Sequence, residues 1–200
     1  MEVRNHLLYS GSKQIRFVDS PNRKQGIRQL YLIMHYTAGR NLASSVAWFQ
    51  NPQASASAHI VVGANGDVVQ MVRFDQQAWH AGQSSWGELI GMNAHSIGIE
   101  LDNPGKLSRA ENGQWKSWFG GTYQPANVMV ARHKHESVDS GWHIFPPKQL
   151  DAAIEVAAAL HAKYRFLDIL GHEDISPRRK TDPGPAFPLF SFRSRILGRE

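Results

Sequence analysis

The most informative stretch of the chain covers residues 169–185 and reads ILGHEDISPRRKTDPGP. Its apolar start continues from Phe166 and predicts a short buried strand that ends at Gly171. His172 and Asp182 follow on a proline-stiffened loop, and an imidazole and a carboxylate held in this way could supply two of the three protein ligands of a zinc ion. Most loop histidines and aspartates are solvated or form turns, and Asp-Pro-Gly is good turn chemistry by itself. Spacing alone therefore leaves both interpretations open.

The Gly-His pair and the run RKTDPGPAF at 179–187 closely resemble the C-terminal signature of type 2, zinc-dependent N-acetylmuramoyl-L-alanine amidases. That family includes muropeptide-recycling amidases and phage lysozyme-like amidases, and its fold is shared by peptidoglycan-recognition proteins. The resemblance implies that His172 and Asp182 bind zinc and that Lys180 is catalytic. Asp174 is the alternative to Asp182 as the carboxylate ligand. If it has a role at the site, a more plausible one is to orient His172 without binding the ion itself.

Two hydrophobic strands are predicted to carry the remaining reactive groups. The run from Leu30 to Thr37 is apolar almost throughout and holds His35 near its end. A lone histidine there is more often structural, but the sequence His-Tyr-Thr-Ala is similar to the family's N-terminal metal motif, which makes His35 the third ligand. Residues 96–103 alternate as a strand, with Glu100 on the face opposite the isoleucines. A glutamate on such a face is usually solvated, whereas the resemblance of Ser-Ile-Gly-Ile-Glu to the family's catalytic segment makes Glu100 the candidate general base.

The sequence AWHAG, which ends at Gly82, is a further family-like stretch. We expect Trp79 and His80 to contact substrate, although a tight turn with a packed tryptophan would explain the same residues. His59 is interpreted as structural, or at most as part of the site wall. The pair His133 and His135 is expected on an exposed strand rather than at a second metal site.

Composition bounds the remaining possibilities. Two hundred residues with 42% hydrophobic content predict one domain, and the absence of cysteine excludes disulfides and thiolate ligands. The start of the chain lacks a secretory signal and no apolar run could span a bilayer, so we expect a cytoplasmic protein, or a phage-type lysin released to the cell wall. The net charge of +5 favours acidic partners, but no nucleic-acid-binding motif is present, and the charge could simply keep the protein soluble.

The expected fold is α/β: a single amidase domain over residues 1–200, with a mixed central β-sheet flanked by α-helices and a zinc cleft at one face. Helices are predicted at 41–51 and 147–164, with a hairpin around the Asn-Gly turn near residue 65. Residues 1–29 are expected as a loosely structured lead-in. Residues 103–146 are expected as a long loop or variable insert beside the cleft, and residues 188–200 as a basic tail or short closing helix.

The function implied by the resemblance is hydrolysis of the amide between N-acetylmuramic acid and L-alanine in peptidoglycan or muropeptides, with one Zn²⁺ as cofactor. A non-catalytic peptidoglycan-recognition module on the same fold is the alternative. A zinc peptidase ranks lower because the chain has no HExxH helix. A monomer is expected, although the sequence leaves the oligomeric state undetermined.

Overall fold

The chain builds its elements around one mixed sheet, and the computed structural model describes residues 1–111 and 113–199. The strands of the first half are β1 (Glu2–Arg4), β2 (Leu7–Ser10), β3 (Lys13–Gln14), β4 (Arg23–Gln25), β5 (Tyr31–Tyr36), β6 (Ile60–Val62), β7 (Val68–Gln70), β8 (Gln76–Ala78), β9 (Ser85–Trp86), β10 (Leu89–Ile90) and β11 (Ser96–Leu101). Those of the second half are β12 (Lys106–Arg109), β13 (Trp115–Lys116), β14 (Thr122–Tyr123), β15 (Val128–Arg132), β16 (Asp139–His143) and β17 (Asp168–Gly171). The helices are α1 (Leu42–Gln50), α2 (Pro147–Tyr164), the single turn α3 (His172–Ile175) and α4 (Leu189–Leu197).

The central sheet has the strand order β17-β5-β11-β6-β7. The first four of these strands are parallel, and β7 returns antiparallel to β6 through the predicted hairpin. Strands β5 and β11 are apolar runs because both faces of the sheet are covered, as parallel sheets require. Their register pairs Glu100 with His35.

Helices cover the two faces of this sheet. On one face, α2 packs Val156 and Leu160 against Leu32 and Ile99, and α4 joins the same cluster through Phe192. On the other face, α1 forms a separate apolar cluster with residues of β6 and β7. The predicted α/β layering is confirmed, and the longer predicted helix matches α2 residue for residue.

Helix α1 begins where the sequence predicts, because Asn41 is an effective cap. Its side chain accepts a hydrogen bond from the Ser44 backbone N–H, and the Ser44 hydroxyl accepts one from the Asn41 backbone N–H. These reciprocal bonds satisfy amide groups that a helix start otherwise leaves without partners. None of the helices in the described residues has the length and apolar character that crossing a membrane requires.

The first 29 residues differ from the expected loose lead-in. Strands β1, β2 and β3 form an antiparallel sheet, and β4 pairs with β8. The side chain of Leu8 is fully buried in the main core, and its backbone N–H donates to the Gln70 side chain. The segment is therefore part of the packed structure. The sequence did not predict this, because its strands are short and contain few apolar residues.

The segment 103–146 also differs from the expected long loop. It forms a second five-stranded sheet, order β14-β13-β12-β16-β15, with the described neighbours antiparallel. We call this segment the insert sheet. Trp142 and Leu107 are buried within it. The β13–β14 turn of the insert sheet lines the cavity described below.

Candidate active site

Three neighbouring parallel strands bring the candidate residues to one edge of the central sheet. His35 is near the end of β5, Glu100 near the end of β11, and His172 directly follows β17. Because the carboxyl ends of parallel strands meet at one edge, residues distant in sequence become neighbours there. Asp182 lies on the loop that follows α3. A hydrogen bond from the Glu173 backbone N–H of α3 to the Asp182 carbonyl oxygen holds this loop against the helix.

Three buried side chains point ligand atoms at one another. The distance is 3.0 Å between the Nδ1 atoms of His35 and His172, and 2.9 Å and 3.0 Å from these atoms to Oδ2 of Asp182. This triad is the one group of histidine and acidic residues in the described part of the chain whose ligand atoms converge closely enough to hold a metal ion.

The opposite nitrogen of His172 fixes the state of its ring. Nε2 lies 3.0 Å from the Ala81 carbonyl oxygen, which can only accept a hydrogen bond. Nε2 therefore carries the proton, and Nδ1 presents a lone pair toward the triad. This is the usual arrangement of a metal-ligating histidine, in which a carbonyl orients the ring from behind.

His35 is fixed in the same way through a second histidine. Its Nε2 lies 2.9 Å from Nδ1 of His80, and Nε2 of His80 lies 3.3 Å from the Ser96 carbonyl oxygen. The carbonyl requires His80 to carry its proton on Nε2, so His80 accepts from His35 and leaves the His35 Nδ1 lone pair free. The ring of His80 fits because position 98 is glycine: a Cβ at Gly98 would lie 2.5 Å from it.

The donor set fits a divalent cation such as zinc. Two neutral imidazoles and one carboxylate are a common catalytic zinc set, with a fourth position for water or substrate. Burial, and then the neighbouring His172, lowers the pKa of His35 to about 4, which keeps its ring neutral. Burial acts to raise the pKa of Asp182, but the facing imidazoles of His172 and His35 hold it well below its usual range, so the carboxylate is ionised.

Glu100 stands beside the triad with an unusual environment for a carboxyl group. Burial, assisted by the Asp182 carboxylate, raises the pKa of Glu100 to about 8, and the Lys180 ammonium opposes that rise. Its Oε2 atom is buried without a hydrogen-bond partner among residues 1–111 and 113–199. A poorly solvated carboxyl next to a metal triad is well suited to exchange protons with a reactant.

Lys180 reaches the same region from the loop before Asp182. Its positive charge lowers the pKa of both Glu100 and His35, so its ammonium lies near these two groups. Structure therefore brings together the five residues that the sequence singles out as metal ligands, base and catalytic lysine. Glu100, His172, Lys180 and Asp182 line one cavity of about 770 Å³.

Trp79 and His80, expected to contact substrate, also line this cavity. Trp79 is half-buried, whereas His80 is 7% exposed and both of its ring nitrogens are occupied. The geometry of His80 is that of a residue that orients His35. Sequence could not indicate this, because which nitrogen faces which neighbour is decided by the fold.

The other candidates lie away from the triad. The Asp174 carboxylate accepts a hydrogen bond from the Gly171 backbone N–H and pairs with Lys134, so it closes the α3 turn. His59 is fully buried, with hydrogen bonds to the Gln76 carbonyl and the Gly98 N–H, which is the structural role expected of it.

The expectation that His133 lies on an exposed strand is wrong. It follows the end of β15, is 1% exposed, and its Nε2 lies 2.7 Å from Oε2 of Glu173. The same carboxylate oxygen accepts a hydrogen bond from the Gly184 backbone N–H. The insert sheet is thus joined by a buried hydrogen bond, between His133 and Glu173, to the segment that contacts the loop carrying Asp182.

Several residues of the cleft wall were not identified from sequence. Trp48 on α1 and Trp118 on the β13–β14 turn are 56% and 79% exposed, and both line the cavity together with Phe119 and Arg40. Clusters of exposed aromatic side chains mark binding surfaces. The sequence shows that these aromatic residues are present. Their common location could not be predicted, because it depends on contacts between distant segments.

Comparisons with known proteins agree with this geometry. Residues 25–185 match the family model described as N-acetylmuramoyl-L-alanine amidase. The chain is 34% identical to the N-acetylmuramoyl-L-alanine amidase AmiD of Escherichia coli over 84% of its own length and 53% of that protein. It is also 34% identical to N-acetylmuramoyl-L-alanine amidase A of Achromobacter lyticus, over 90% of each chain.

Solved structures show the same architecture. The E. coli AmiD complex with the substrate anhydro-N-acetylmuramic acid-L-Ala-D-gamma-Glu-L-Lys superimposes with a TM-score of 0.64 at 28% identity, over 96% of this chain and 66% of that one. The chain spans about half the length of the first curated relatives that it matches. From the family match and the overall identity, the chain belongs to the N-acetylmuramoyl-L-alanine amidase family.

Proposed function

We propose that this chain is a zinc-dependent hydrolase that cleaves the amide bond between N-acetylmuramic acid and L-alanine in peptidoglycan or muropeptides. The observation that carries the proposal is the convergence of His35, His172 and Asp182 beside a buried Glu100 whose Oε2 atom has no hydrogen-bond partner in the described part of the chain. The names of the relatives support the substrate class, since AmiD and amidase A are both N-acetylmuramoyl-L-alanine amidases.

The triad would hold one Zn²⁺ ion through the two Nδ1 atoms and the Asp182 carboxylate. When bound, zinc supplies a lowered water pKa and polarisation of the substrate carbonyl. The protein's part is to keep both imidazoles neutral and oriented, which the Ala81 carbonyl does for His172 and His80 does for His35.

Glu100 acts as the general base and then as the acid. It removes a proton from the attacking water and delivers that proton to the leaving nitrogen of alanine, so that the amide bond breaks with proton balance. General acid–base catalysis of this kind contributes roughly 10²–10⁴-fold. Its raised pKa favours both halves of the transfer near neutral pH.

Lys180 stabilises the negative charge that develops on the carbonyl oxygen. An ammonium at this location costs stability through repulsion from a metal ion, which is consistent with a catalytic purpose. One such contact in a shielded site contributes on the order of 10²-fold or more.

The proposal is tested by incubating the purified, zinc-loaded chain with peptidoglycan and with soluble muropeptides, and by identifying the released ends. The amidase is expected to release peptides with free L-alanine amino termini and to produce no new reducing sugar ends. Stable binding to intact polymer without cleavage would instead support a non-catalytic recognition module. New amino termini within the peptides would support a peptidase.

A further inference from the structure

The tip of the insert sheet is joined to the segment that follows β5. Nε1 of Trp118 donates a hydrogen bond of 2.8 Å to the Ala38 carbonyl oxygen. Arg40 donates a longer one, 3.5 Å, to the Phe119 carbonyl oxygen, and its guanidinium lies 5.5 Å from the centre of the Phe119 ring. The turn therefore holds Arg40 at one wall of the cleft, and Ala38 and Arg40 both line the cavity.

Three cationic side chains line the cavity in the described part of the chain, and two of them have other roles. Arg179 donates hydrogen bonds to the carbonyl oxygens of Ala81 and Gln83, so its guanidinium holds the loop at residues 81–83. Lys180 precedes Asp182 by two residues, and the proposed function assigns its ammonium to the negative charge that develops on the carbonyl oxygen. Arg40 is exposed, and no ion pair joins it to an acidic residue among those described.

A guanidinium of this kind selects a carboxylate. Its planar array of N–H donors matches the two oxygens of a carboxylate, and stacking on an aromatic ring limits the orientations it must lose on binding. The acidic side chains that line the cavity are Glu100 and Asp182, and both are buried at the reaction centre. A carboxylate for Arg40 must therefore come from the ligand.

The substrate proposed above contains a free carboxylate near the cleaved bond. The inference therefore rests on the proposed function. A glutamate linked through its γ-carboxyl, as in the peptide bound to AmiD, keeps its α-carboxylate free. That carboxylate is one residue beyond the alanine whose nitrogen is released. We propose that Arg40, steadied by the Trp118–Phe119 turn, is a specificity-determining residue that binds this α-carboxylate on the peptide side of the cleft.

The test uses three muramoyl tripeptides of sequence L-Ala-D-γ-Glu-L-Lys that differ only in which of two carboxyl groups, the glutamate α-carboxyl and the C-terminus, is amidated. The first has a free α-carboxylate and an amidated C-terminus, the second has both groups amidated, and the third has a free C-terminus and an amidated α-carboxylate. Wild-type protein is expected to cleave the first with kcat/KM about 10-fold higher than the second, mainly through KM. The third is expected to behave as the second.

Arg40→Gln is expected to reduce kcat/KM on the first substrate far more than on the second, so that the preference for the free α-carboxylate disappears. Arg40→Lys is expected to retain part of the preference. Arg109→Gln is the matched control, because Arg109 is an exposed arginine of β12 that does not line the cavity. Equal losses on the first and second substrates, or an unchanged preference in Arg40→Gln, would overturn the inference. A preference for the third substrate would assign Arg40 to the peptide terminus instead.

Binding separates this inference from the proposed function. Calorimetric titration of the first two tripeptides into Glu100→Gln, and into Glu100→Gln combined with Arg40→Gln, measures the same preference without hydrolysis. A preference of about 10-fold that disappears in the double variant supports the inference even if the wild-type chain cleaves none of the substrates. No difference between the two titrations would refute it even if the amidase activity is confirmed.

Discussion

The central sheet and the insert sheet use their strands differently. Strand β11 is buried along its whole length, and the polar groups His35 of β5 and Glu100 of β11 lie opposite each other near the ends of their strands. In β15 most side chains are exposed, including Val130 at 59%. The insert sheet contributes its turn, not its strands, to the cleft. We therefore expect the proposed chemistry to depend on the register of the central sheet, and the proposed recognition to depend on a turn of the insert sheet.

The largest effect is expected when the triad itself is changed. Asp182→Ala removes the charged ligand, so the protein should fall from about one bound zinc ion per chain to nearly none and lose its activity. Asp174→Ala is the control, because that carboxylate accepts a hydrogen bond from the Gly171 backbone N–H and pairs with Lys134 rather than joining the triad. Its zinc content should remain at the wild-type level. Metal analysis after dialysis measures both, and equal zinc retention by the two variants would contradict the ligand assignment.

Glu100→Gln should keep the metal and lose the reaction. Removal of the proton-transferring group is expected to lower kcat by roughly 10²–10⁴-fold, because glutamine cannot accept a proton from water. Zinc content and the circular dichroism spectrum should match those of the wild type. A kcat within a few-fold of wild type would remove Glu100 from the mechanism.

The same residue predicts a pH dependence of stability in the metal-free protein. The pKa of Glu100 is raised from 4.5 to about 8 in the folded state, so the folded chain binds its proton more tightly than the unfolded chain does. The contribution is fully favourable below about 4.5 and is lost as the pH rises through about 8. Wild-type Tm should therefore fall relative to that of Glu100→Gln between these two values. A constant Tm difference across this range would contradict the raised pKa.

His80→Gln tests the orienting role against the expected contact with substrate. Loss of an outer partner of a metal ligand typically costs 10–100-fold in metal affinity, and His80 holds the His35 ring through a bond of 2.9 Å. Zinc affinity, measured by competition with a chelator, should fall by about that factor. A raised KM with unchanged zinc affinity would instead assign His80 to substrate binding. Trp79→Ala is the comparison, since Trp79 is half-buried in the cavity wall and should affect KM alone.

The smallest effect on chemistry is expected where the two sheets are joined. His133→Leu deprives the buried Glu173 carboxylate of one partner, which should lower the free energy of unfolding by about 1–3 kcal/mol. Zinc content should be retained, because Lys134 and the Gly184 N–H still contact that carboxylate. Urea unfolding measures the loss, and His135→Leu is the control at a less buried neighbour. Loss of zinc in His133→Leu would show that the insert sheet is needed to shape the reaction centre.

The parts of the fold that could be predicted are those governed by local patterns. Continuous apolar runs predicted β5 and β17, the 3.6-residue period predicted α2, and Asn41 marked the start of α1. The family resemblance then connected three segments that local patterns could not connect. In each case the information lies within a few consecutive residues.

The insert sheet could not be predicted because its pairing is not local. Lys106 of β12 pairs with Trp142 of β16, and the intervening strands are only two to five residues long. Burial of His133 and the contact between Trp118 and Ala38 depend on the same long-range pairing. The orienting role of His80 could not be predicted for a related reason. The His80 ring fits beside His35 only because Gly98, on another strand, has no side chain.

The paired register of His35 and Glu100 has a practical consequence. Because the two residues face each other on adjacent hydrogen-bonded strands, their backbone separation is set by the interstrand spacing, about 4.8 Å, and not by any loop. Protein engineers could therefore exchange the turn at 117–121 for turns of other lengths and compositions without changing the relative position of these two residues. A library built at that turn would vary the cavity wall at Trp118 and Phe119 while every member keeps the same spacing between His35 and Glu100.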